Sequence, residues 1–500
     1  MDELARARVE LSLLEDKARR LLKELLGIRA AVVTQRAKID ELVQTRPAVI
    51  NRLPTEILLF ILDFDISAYR CYSKRKQSLA GVCRRWRDVI LRSPHFWTTI
   101  HVRPKSDVSS IMTHLERSRG ALLDIVIEAT PWARSKHLEI VPSLDIVASC
   151  AHRWRSLLIG NDAYINDDDD DDDDEPYSTI PLPDFIIERI DHLQFPSLKR
   201  VEILAISSAA LDFISTTRAP SLEHLELQEF IADAIDFPPT TLKSLKLDFY
   251  GAPTDNPLYP CLIPTQLTEL SLSGFTEAFS PPSSSIHLPL LKTLEINYVK
   301  SARVFLNAIV APNLERFKYD SSSGDPPSVA LDALDTKFNN VRHLHFTWYS
   351  KDSRSFKYAD LMTLCKVFPS IRHVELSGIK QLPYLFDATP KQPNPRVRCP
   401  IDLWTELESL AFQGLHPNWL EPNQLSAWLA DRQASGLRRL HVKLYSARND
   451  YSRHSAFNFP RLYEVLKKTC ILELDEFPLP LPEMYLYMPA DSSLRMVSAV

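Results

Sequence analysis

The sequence predicts an α/β protein in three parts: a long N-terminal helix, a small all-α unit, and a solenoid with parallel strands on its concave face. Three observations predict this arrangement. Apolar residues recur with a seven-residue period over the first 46 residues. Two short apolar segments with helical spacing follow between residues 47 and 100. Beyond residue 150, the pattern Leu-x-x-Leu-x-Leu returns at steps of 20 to 36 residues, which is typical of repeat architectures.

Residues 1–46 carry an unbroken heptad pattern. Its two seam positions are occupied by Leu4, Leu11, Ala18, Leu25, Val32 and Ile39, and by Ala7, Leu14, Leu21, Ile28, Gln35 and Leu42. An apolar stripe on a helix must be covered, either by a second helix or by the rest of the molecule. The pattern therefore predicts a coiled-coil helix and leaves two arrangements open: a homodimer through this coil, or a helix packed back on its own chain.

Residues 47–100 form the second predicted unit. Leu53-Pro54-Thr55-Glu56 is typical of a helix start, with proline and an acidic residue in the first turn. An apolar helix follows, and after the polar segment Asp65–Gln77 a second amphipathic segment runs to Trp97. So few residues make a thin core that is marginal alone, so the unit gains stability by burying its remaining apolar surface against a partner.

These residues resemble the F-box family. Its pattern of Leu-Pro-x-Glu-Ile-Leu, a later Val-Cys-x-x-Trp and a final Trp is matched by Leu53, Pro54, Glu56, Ile57, Leu58, Val82, Cys83, Trp86 and Trp97. The resemblance implies that the chain docks to a Skp-type adaptor, and through it to a cullin–RING ubiquitin ligase. The adaptor-facing residues that it implies are Leu53, Pro54, Ile57, Ile61, Val82, Trp86 and Trp97. Asp65–Gln77 is longer and more basic than the family's usual connection, which keeps a scaffold without a ubiquitin role as the alternative.

The repeat pattern occurs in ten copies, which begin at Leu198, Leu222, Leu242, Leu267, Leu291, Leu314, Val341, Ile371, Leu407 and Leu437. In each copy the fourth and sixth positions are expected to point inward and the third, fifth and seventh outward, the period of a strand. The copies resemble the irregular leucine-rich repeats that often follow an F-box. We expect this solenoid over 195–477, after irregular first repeats and an acidic loop (167–175) within 101–194, and before a cap or tail at 478–500. Trp154–Ile159 is a candidate degenerate first copy.

The outward positions predict a target-binding surface on the concave face of the solenoid. It comprises Arg200, Glu202, His224, Glu226, Lys246, Glu295, Arg316, Lys318, His343, His345, His373 and Glu375. Mixed charge of this kind favours a protein target, whose identity the sequence does not give. The three histidines His343, His345 and His373 also fit a metal site, but no cysteine accompanies them, so an ordinary polar surface is the preferred interpretation.

Composition excludes several other classes of function. The nine acidic residues at 167–175 account for more than the whole net charge of −5, and no basic field predicts nucleic-acid binding. No apolar run predicts a membrane span. The seven cysteines form no Cys-x-x-Cys pair, which favours the cytoplasm or the nucleus over an oxidising compartment. No nucleophile, phosphate-loop or zinc-protease motif is present, so we expect a non-catalytic protein without a cofactor or metal, rather than an enzyme.

Overall fold

The computed structural model describes residues 3–45, 53–67, 72–104, 106–128, 137–160, 182–204, 211–228, 241–249, 264–274, 281–299, 302–321, 325–332, 334, 337–348, 357–378, 383–386, 399–413, 422–437, 439–445, 464 and 466–475. These residues divide into two compact units. The first comprises Met1–Trp97 with Arg117–Arg119, and the second comprises Thr98–Glu116 with Gly120–Val500. The predicted acidic loop and the predicted C-terminal tail lie outside the described residues.

The first unit begins with helix α1, Glu3–Thr45, a single helix of 43 residues. At 1.5 Å per residue it is about 65 Å long. Every side chain described in α1 is exposed to solvent, including the seam residues Leu14, Leu25 and Ile28. Among the described residues nothing covers this seam, so within them the structure shows no packing of α1 against the rest of its own chain.

Three short helices and a 3₁₀ turn follow in the first unit: α2 (Thr55–Ser67), α3 (Tyr72–Val82), α4 (Arg84–Arg92) and the turn Pro94–Trp97. Helix α2 starts where the sequence predicts, since the amide of Leu58 donates to the carbonyl of Pro54 at 3.1 Å. Their common core consists of Leu58, Leu62, Ile66, Leu79, Ile90, Phe96 and Trp97. These few side chains form a small core that is separate from the core of the second unit.

The segment Asp65–Gln77 is mostly helical, because α2 extends to Ser67 and α3 begins at Tyr72. The Arg75 guanidinium donates to both carboxylate oxygens of Asp65, at 2.6 and 2.7 Å, and lowers the pKa of that carboxyl. The sequence suggested a long polar connection between the first helices. Instead, the ion pair between Asp65 and Arg75 joins the end of α2 to α3. In the sequence, residues 68–71 lie between the two helices.

The second unit is built on a parallel sheet of 14 strands. In order along the sheet they are β1 (Thr99–Val102), β2 (Leu123–Glu128), β3 (Trp154–Gly160), β4 (Arg200–Leu204), β5 (His224–Gln228), β6 (Ser244–Asp248), β7 (Glu269–Ser273), β9 (Thr293–Asn297), β11 (Arg316–Asp320), β12 (His343–Thr347), β13 (His373–Ser377), β14 (Ser409–Gln413), β15 (His441–Tyr445) and β16 (Ile471–Asp475). Strands β8 (Ile286–His287) and β10 (Ile309–Val310) form a small separate pair. Each strand lies beside its sequence neighbour in the sheet, which is the arrangement of a repeat solenoid.

Helices occupy several of the connections between strands. They are α5 (Val108–Ser118), α6 (His137–Ala148), α7 (Leu182–Ile190), α8 (Ala302–Ala308), α9 (Pro327–Ala330), α10 (Tyr358–Val367), α11 (Pro383–Phe386) and α12 (Pro422–Ala434). In the ten sheet strands of the predicted copies, β4 to β7, β9 and β11 to β15, the second and fourth residues are buried, as in β9, where Leu294 and Ile296 are fully covered. With residues of the helices they form one continuous apolar core from Ile100 to Cys470.

The repeated pattern forms the same backbone turn before most of the strands that it predicts. The amide of the first leucine donates to the carbonyl three residues earlier, as in Leu314 to Ala311 at 3.2 Å. The next amide then donates to the equivalent carbonyl of the preceding copy, as in Glu315 to Lys292 at 2.9 Å. This ladder satisfies the backbone groups at the start of each strand, so the copies stack in register.

The sheet also has strands outside the ten predicted copies. β1 begins at the end of the predicted F-box region, β2 and the candidate copy at β3 lie in the region predicted as linker and irregular first repeats, and β16 lies within the predicted solenoid after its last copy. That last copy is also shifted by two residues. The amide of His441 donates to the carbonyl of Glu408, so β15 begins at His441 rather than at Arg439, the third position of the predicted copy, and Leu437, its first position, is 45% exposed.

Candidate protein-interaction sites

Helix α2 is apolar on two faces. Leu58, Leu62 and Ile66 recur every four residues and are buried in the core of the first unit. Ile57, Phe60, Ile61 and Phe64 recur at intervals of three and four and are exposed; we call these four the outer stripe. Phe60 and Phe64 are 72% and 73% exposed. A stripe of large apolar side chains in water is typical of a protein-binding surface.

The structure divides the seven predicted adaptor-facing residues. Ile57, Ile61, Pro54 and Val82 are exposed, and Leu53 is partly exposed at the entry to α2. The Arg85 guanidinium donates to the carbonyl of Leu53, which fixes this entry against α4. Trp86 is partly buried and packs against the core of the unit.

Trp97 is part of that core rather than of an exposed face. It is 9% exposed, and its indole N–H donates to the carbonyl of Ile90 at 2.9 Å. The guanidinium of Arg117 lies 4.5 Å and the ammonium of Lys76 lies 5.0 Å from the centre of the ring. The side chain therefore closes the small core, which the sequence alone could not distinguish from binding a partner.

Val82 is exposed because the second amphipathic segment is not one helix. Cys83 has extended backbone angles, φ −157° and ψ 168°, and separates α3 from α4. A continuous helix would place Leu79, Val82, Cys83, Trp86 and Ile90 on one face, but the break at Cys83 separates the residues of α3 from those of α4. Leu79 and Ile90 are buried, whereas Val82 is 59% exposed.

Phe60 and Phe64 are functional candidates that the sequence-based choice of site residues omitted. The signal was present, because both recur at helical spacing with Ile57 and Ile61. The apolar pattern showed two stripes on α2, but it did not show which stripe the small core would cover.

In the second unit, all twelve predicted target-binding residues lie on one face of the sheet. Each occupies the first or third position of its strand, between the buried second and fourth positions. We call this side of the sheet the open face. The sequence period thus placed these residues correctly on one surface, while binding of a target there remains a prediction.

Charged side chains at the third positions of several strands form ion pairs with side chains on neighbouring strands. Lys246 lies 2.5 Å from Glu226, and Lys318 lies 2.5 Å from Glu295. Burial alone would raise the pKa of Glu295, but hydrogen bonds from Asn297 and Lys318 outweigh it and lower the pKa. Between β4 and β9 this face forms an open groove of about 340 Å³. The row of third-position side chains on the open face is therefore polar, and ion pairs between its own members neutralise much of its charge.

The three histidines do not come together around one point. His343 and His373 are in register on neighbouring strands, and their rings stack with centroids 4.5 Å apart. His345 instead pairs with Glu375 at 3.2 Å. Among the residues that the structure describes, no three histidine, cysteine or acidic side chains lie close enough together to bind a metal ion, and no helix has the length and apolar character of a membrane span.

Comparison with known families supports the assignment of the first unit. Residues 50–103 match the F-box-like family model. Among curated proteins no match was found. The match covers α2, α3, α4 and the outer stripe, and it ends at the start of the sheet. An F-box-like domain suggests a Skp-binding adaptor of ubiquitin-ligase complexes, and such domains typically belong to non-catalytic substrate adaptors. The chain therefore carries an F-box-like domain, which supports its assignment as an F-box protein.

Proposed function

We propose that this chain is the substrate-recognition subunit of a Skp–cullin–F-box type ubiquitin ligase. Its F-box-like domain binds a Skp-type adaptor, and its leucine-rich-repeat-like sheet binds a protein target. The observation that carries the proposal is the outer stripe of α2, which lies within the F-box-like match and stays exposed beside a complete small core.

The outer stripe favours a permanent partner for a physical reason. Exposed apolar area costs free energy, about 25 cal/mol per Å², and a helix of this length gains little from propensity alone. Aromatic side chains at the centre of an interface contribute most of its binding energy. A Skp-type subunit that covers Phe60 and Phe64 would bury both aromatic rings of the stripe and stabilise a unit whose own core is small.

The open face supports the second half of the proposal. Parallel strands present charged side chains at regular spacing on a rigid sheet, and such surfaces recognise extended protein partners. Lys246, Glu226, Lys318 and Glu295 are held in place by their mutual ion pairs. Preorganised polar side chains lose little entropy on binding, which favours specific recognition of a target.

The helix α1 supports self-association. Its apolar seam is exposed along its whole described length, and a second copy offers the same stripe. We therefore propose that the chain forms a homodimer through α1, in the cytoplasm or nucleus, where its free cysteines Cys83, Cys150, Cys365, Cys399 and Cys470 stay reduced.

Pull-down of the full chain with a purified Skp-type adaptor tests the proposal. The wild type should capture the adaptor, and the double variant Leu53→Ala, Pro54→Ala should lose capture while the thermal unfolding of the sheet stays unchanged. Arg200→Ala, on the open face, serves as a matched control and should capture the adaptor normally. If the wild type fails to bind, the chain is better described as a repeat scaffold without a ubiquitin role.

A further inference from the structure

One part of the open face carries basic side chains that form no ion pairs among the described residues. Arg316, His343 and His373 occupy the first positions of β11, β12 and β13, and the register places them side by side. Arg342 directly precedes His343 and forms the same backbone ladder as its neighbours. Arg316, His343 and His373 therefore lie side by side on three adjacent strands, and Arg342 lies next to His343 in the chain.

The other charged side chains on this part of the open face form ion pairs with one another. The nearby ion pairs are Lys318 with Glu295 at 2.5 Å, His345 with Glu375 at 3.2 Å, and Arg372 with Glu406 at 3.1 Å and with Glu408 at 3.8 Å. Within the described part of the chain, Arg316 and Arg342 have no ion-pair partner. Glu315 is the one nearby acidic residue that forms no ion pair among the described residues, and it precedes the strand that carries Arg316.

The charges that shift the pKa of His343 are mainly positive. Burial lowers the pKa of His343, and His373, Arg316 and Arg342 lower it further, whereas Glu315 acts in the opposite direction. The ring of His343 is therefore harder to protonate in the free protein than an ordinary histidine. Its stacking on His373, with centroids 4.5 Å apart, acts in the same direction, since two charged rings at this distance would repel.

We infer that Arg316, Arg342, His343 and His373 form a binding site for an anionic side chain of the protein target, and that His343 takes up a proton when the anion binds. The anionic group is a carboxylate or a phosphoryl group on a peptide segment that lies across β11, β12 and β13. Guanidinium groups bind both kinds of anion through paired N–H donors. The inference rests on the proposed function for its target, but the site itself involves no ligase subunit.

Proton uptake by His343 follows from the charges of the two neighbouring guanidinium groups and of the bound anion. A bound anion would offset the two guanidinium charges and favour the imidazolium form of His343, which can donate from both ring nitrogens. Binding should therefore strengthen as the pH falls towards the pKa of His343 in the free protein, by about tenfold in total for a rise of about one unit in that pKa on binding.

The titration of His343 tests the inference in the full chain. The ring ¹³Cε1 resonance of His343 is followed by NMR from pH 5 to 9, with the assignment from His343→Gln. Two probes distinguish the sources of the anion: a triglutamate peptide and the same peptide with a central phosphoserine. At saturation, at least one peptide should raise the midpoint of the His343 titration by about one unit, which corresponds to about tenfold tighter binding to the protonated form.

Two variants separate this site from general electrostatic attraction. Arg316→Gln should weaken peptide binding and reduce the shift of the midpoint. Arg200→Gln removes a guanidinium from the same row of the open face, but one that lies 3.3 Å from its own Glu202, and it should change neither. A midpoint that both peptides leave unchanged, or that they move equally in Arg316→Gln, overturns the inference, and neither result bears on adaptor docking.

Discussion

Replacing Phe60 and Phe64 by alanine should separate adaptor binding from the folding of the F-box-like domain. Both side chains lie on the outer stripe of α2, and both are more than 70% exposed in the free chain. Truncation therefore removes little packing from the core of the unit. Alanine also has the higher helix propensity, so the helix itself should not weaken.

The expected magnitude follows from the exposed area. A phenylalanine side chain offers about 150–250 Å² for burial, and about two thirds of it is still uncovered here, which sets a ceiling of about 3–4 kcal/mol for each ring at about 25 cal/mol per Å². Interfaces realise only part of that area, so we expect about 2 kcal/mol for each residue, or about 30-fold in the dissociation constant. The double variant should bind a Skp-type adaptor about 1,000-fold more weakly, with the free energy of unfolding changed by less than about 0.5 kcal/mol.

Leu62→Ala is the matched control on the same helix. Leu62 is 1% exposed and faces the core, so its truncation should cost about 2–5 kcal/mol of unfolding free energy. Calorimetric titration with the adaptor gives the binding energies, and thermal unfolding gives the stabilities. Our reasoning is refuted if the Phe60 and Phe64 double variant binds as tightly as the wild type, or if it unfolds as readily as Leu62→Ala.

Three further predictions concern α1, the core of the F-box-like domain and the sheet. Leu21→Asp with Leu25→Asp should convert a dimer into a species of 57.2 kDa by light scattering, and an unchanged mass for the variant and the wild type contradicts the coil. Burial lowers the pKa of Lys76 to about 8, so between about pH 8 and 10 the unfolded chain holds a proton that the folded chain has released. Wild-type stability should therefore rise across that window by about 1–3 kcal/mol relative to Lys76→Met in chemical denaturation, whereas parallel curves exclude the effect. In the sheet, Leu294→Ala should cost about 2–5 kcal/mol in thermal unfolding and Glu295→Ala, next to it on the open face, at most about 1 kcal/mol; equal losses would mean that the alternation is misplaced.

Much of the sheet could be predicted because its pattern has two independent periods. Alternation along each copy identifies the buried positions, and the recurring turn before each strand fixes where the copy begins. Where the turn residues are missing the prediction fails: β1 and β2 alternate, but no recognisable turn pattern precedes them. At β15, Leu437 and Leu440 match the repeat pattern two residues before the position that the strand actually takes. The backbone hydrogen bonds show the correct register.

The F-box-like domain was predicted as a unit, but its faces were not. Sequence spacing places Ile57 and Leu58 on different stripes of α2, yet both stripes are apolar, and only the packing of α3 and α4 decides which one is buried. The break at Cys83 follows from that packing and has no strong local signal, since neither proline nor glycine occupies the position. Trp97 is a further example, because an aromatic anchor and a core residue have the same sequence signature.

Photo-crosslinking from the outer stripe is the most direct test of the central claim, that α2 presents an uncovered apolar face to a Skp-type adaptor. Phe60→p-benzoylphenylalanine places the reactive group on the exposed face, and Lys318→p-benzoylphenylalanine places it on the open face of the sheet. Irradiation of each full-length variant with the purified adaptor should give a covalent product from position 60 and none from position 318. A product from position 318 alone, or none from either under conditions where a known F-box protein reacts, would contradict the account.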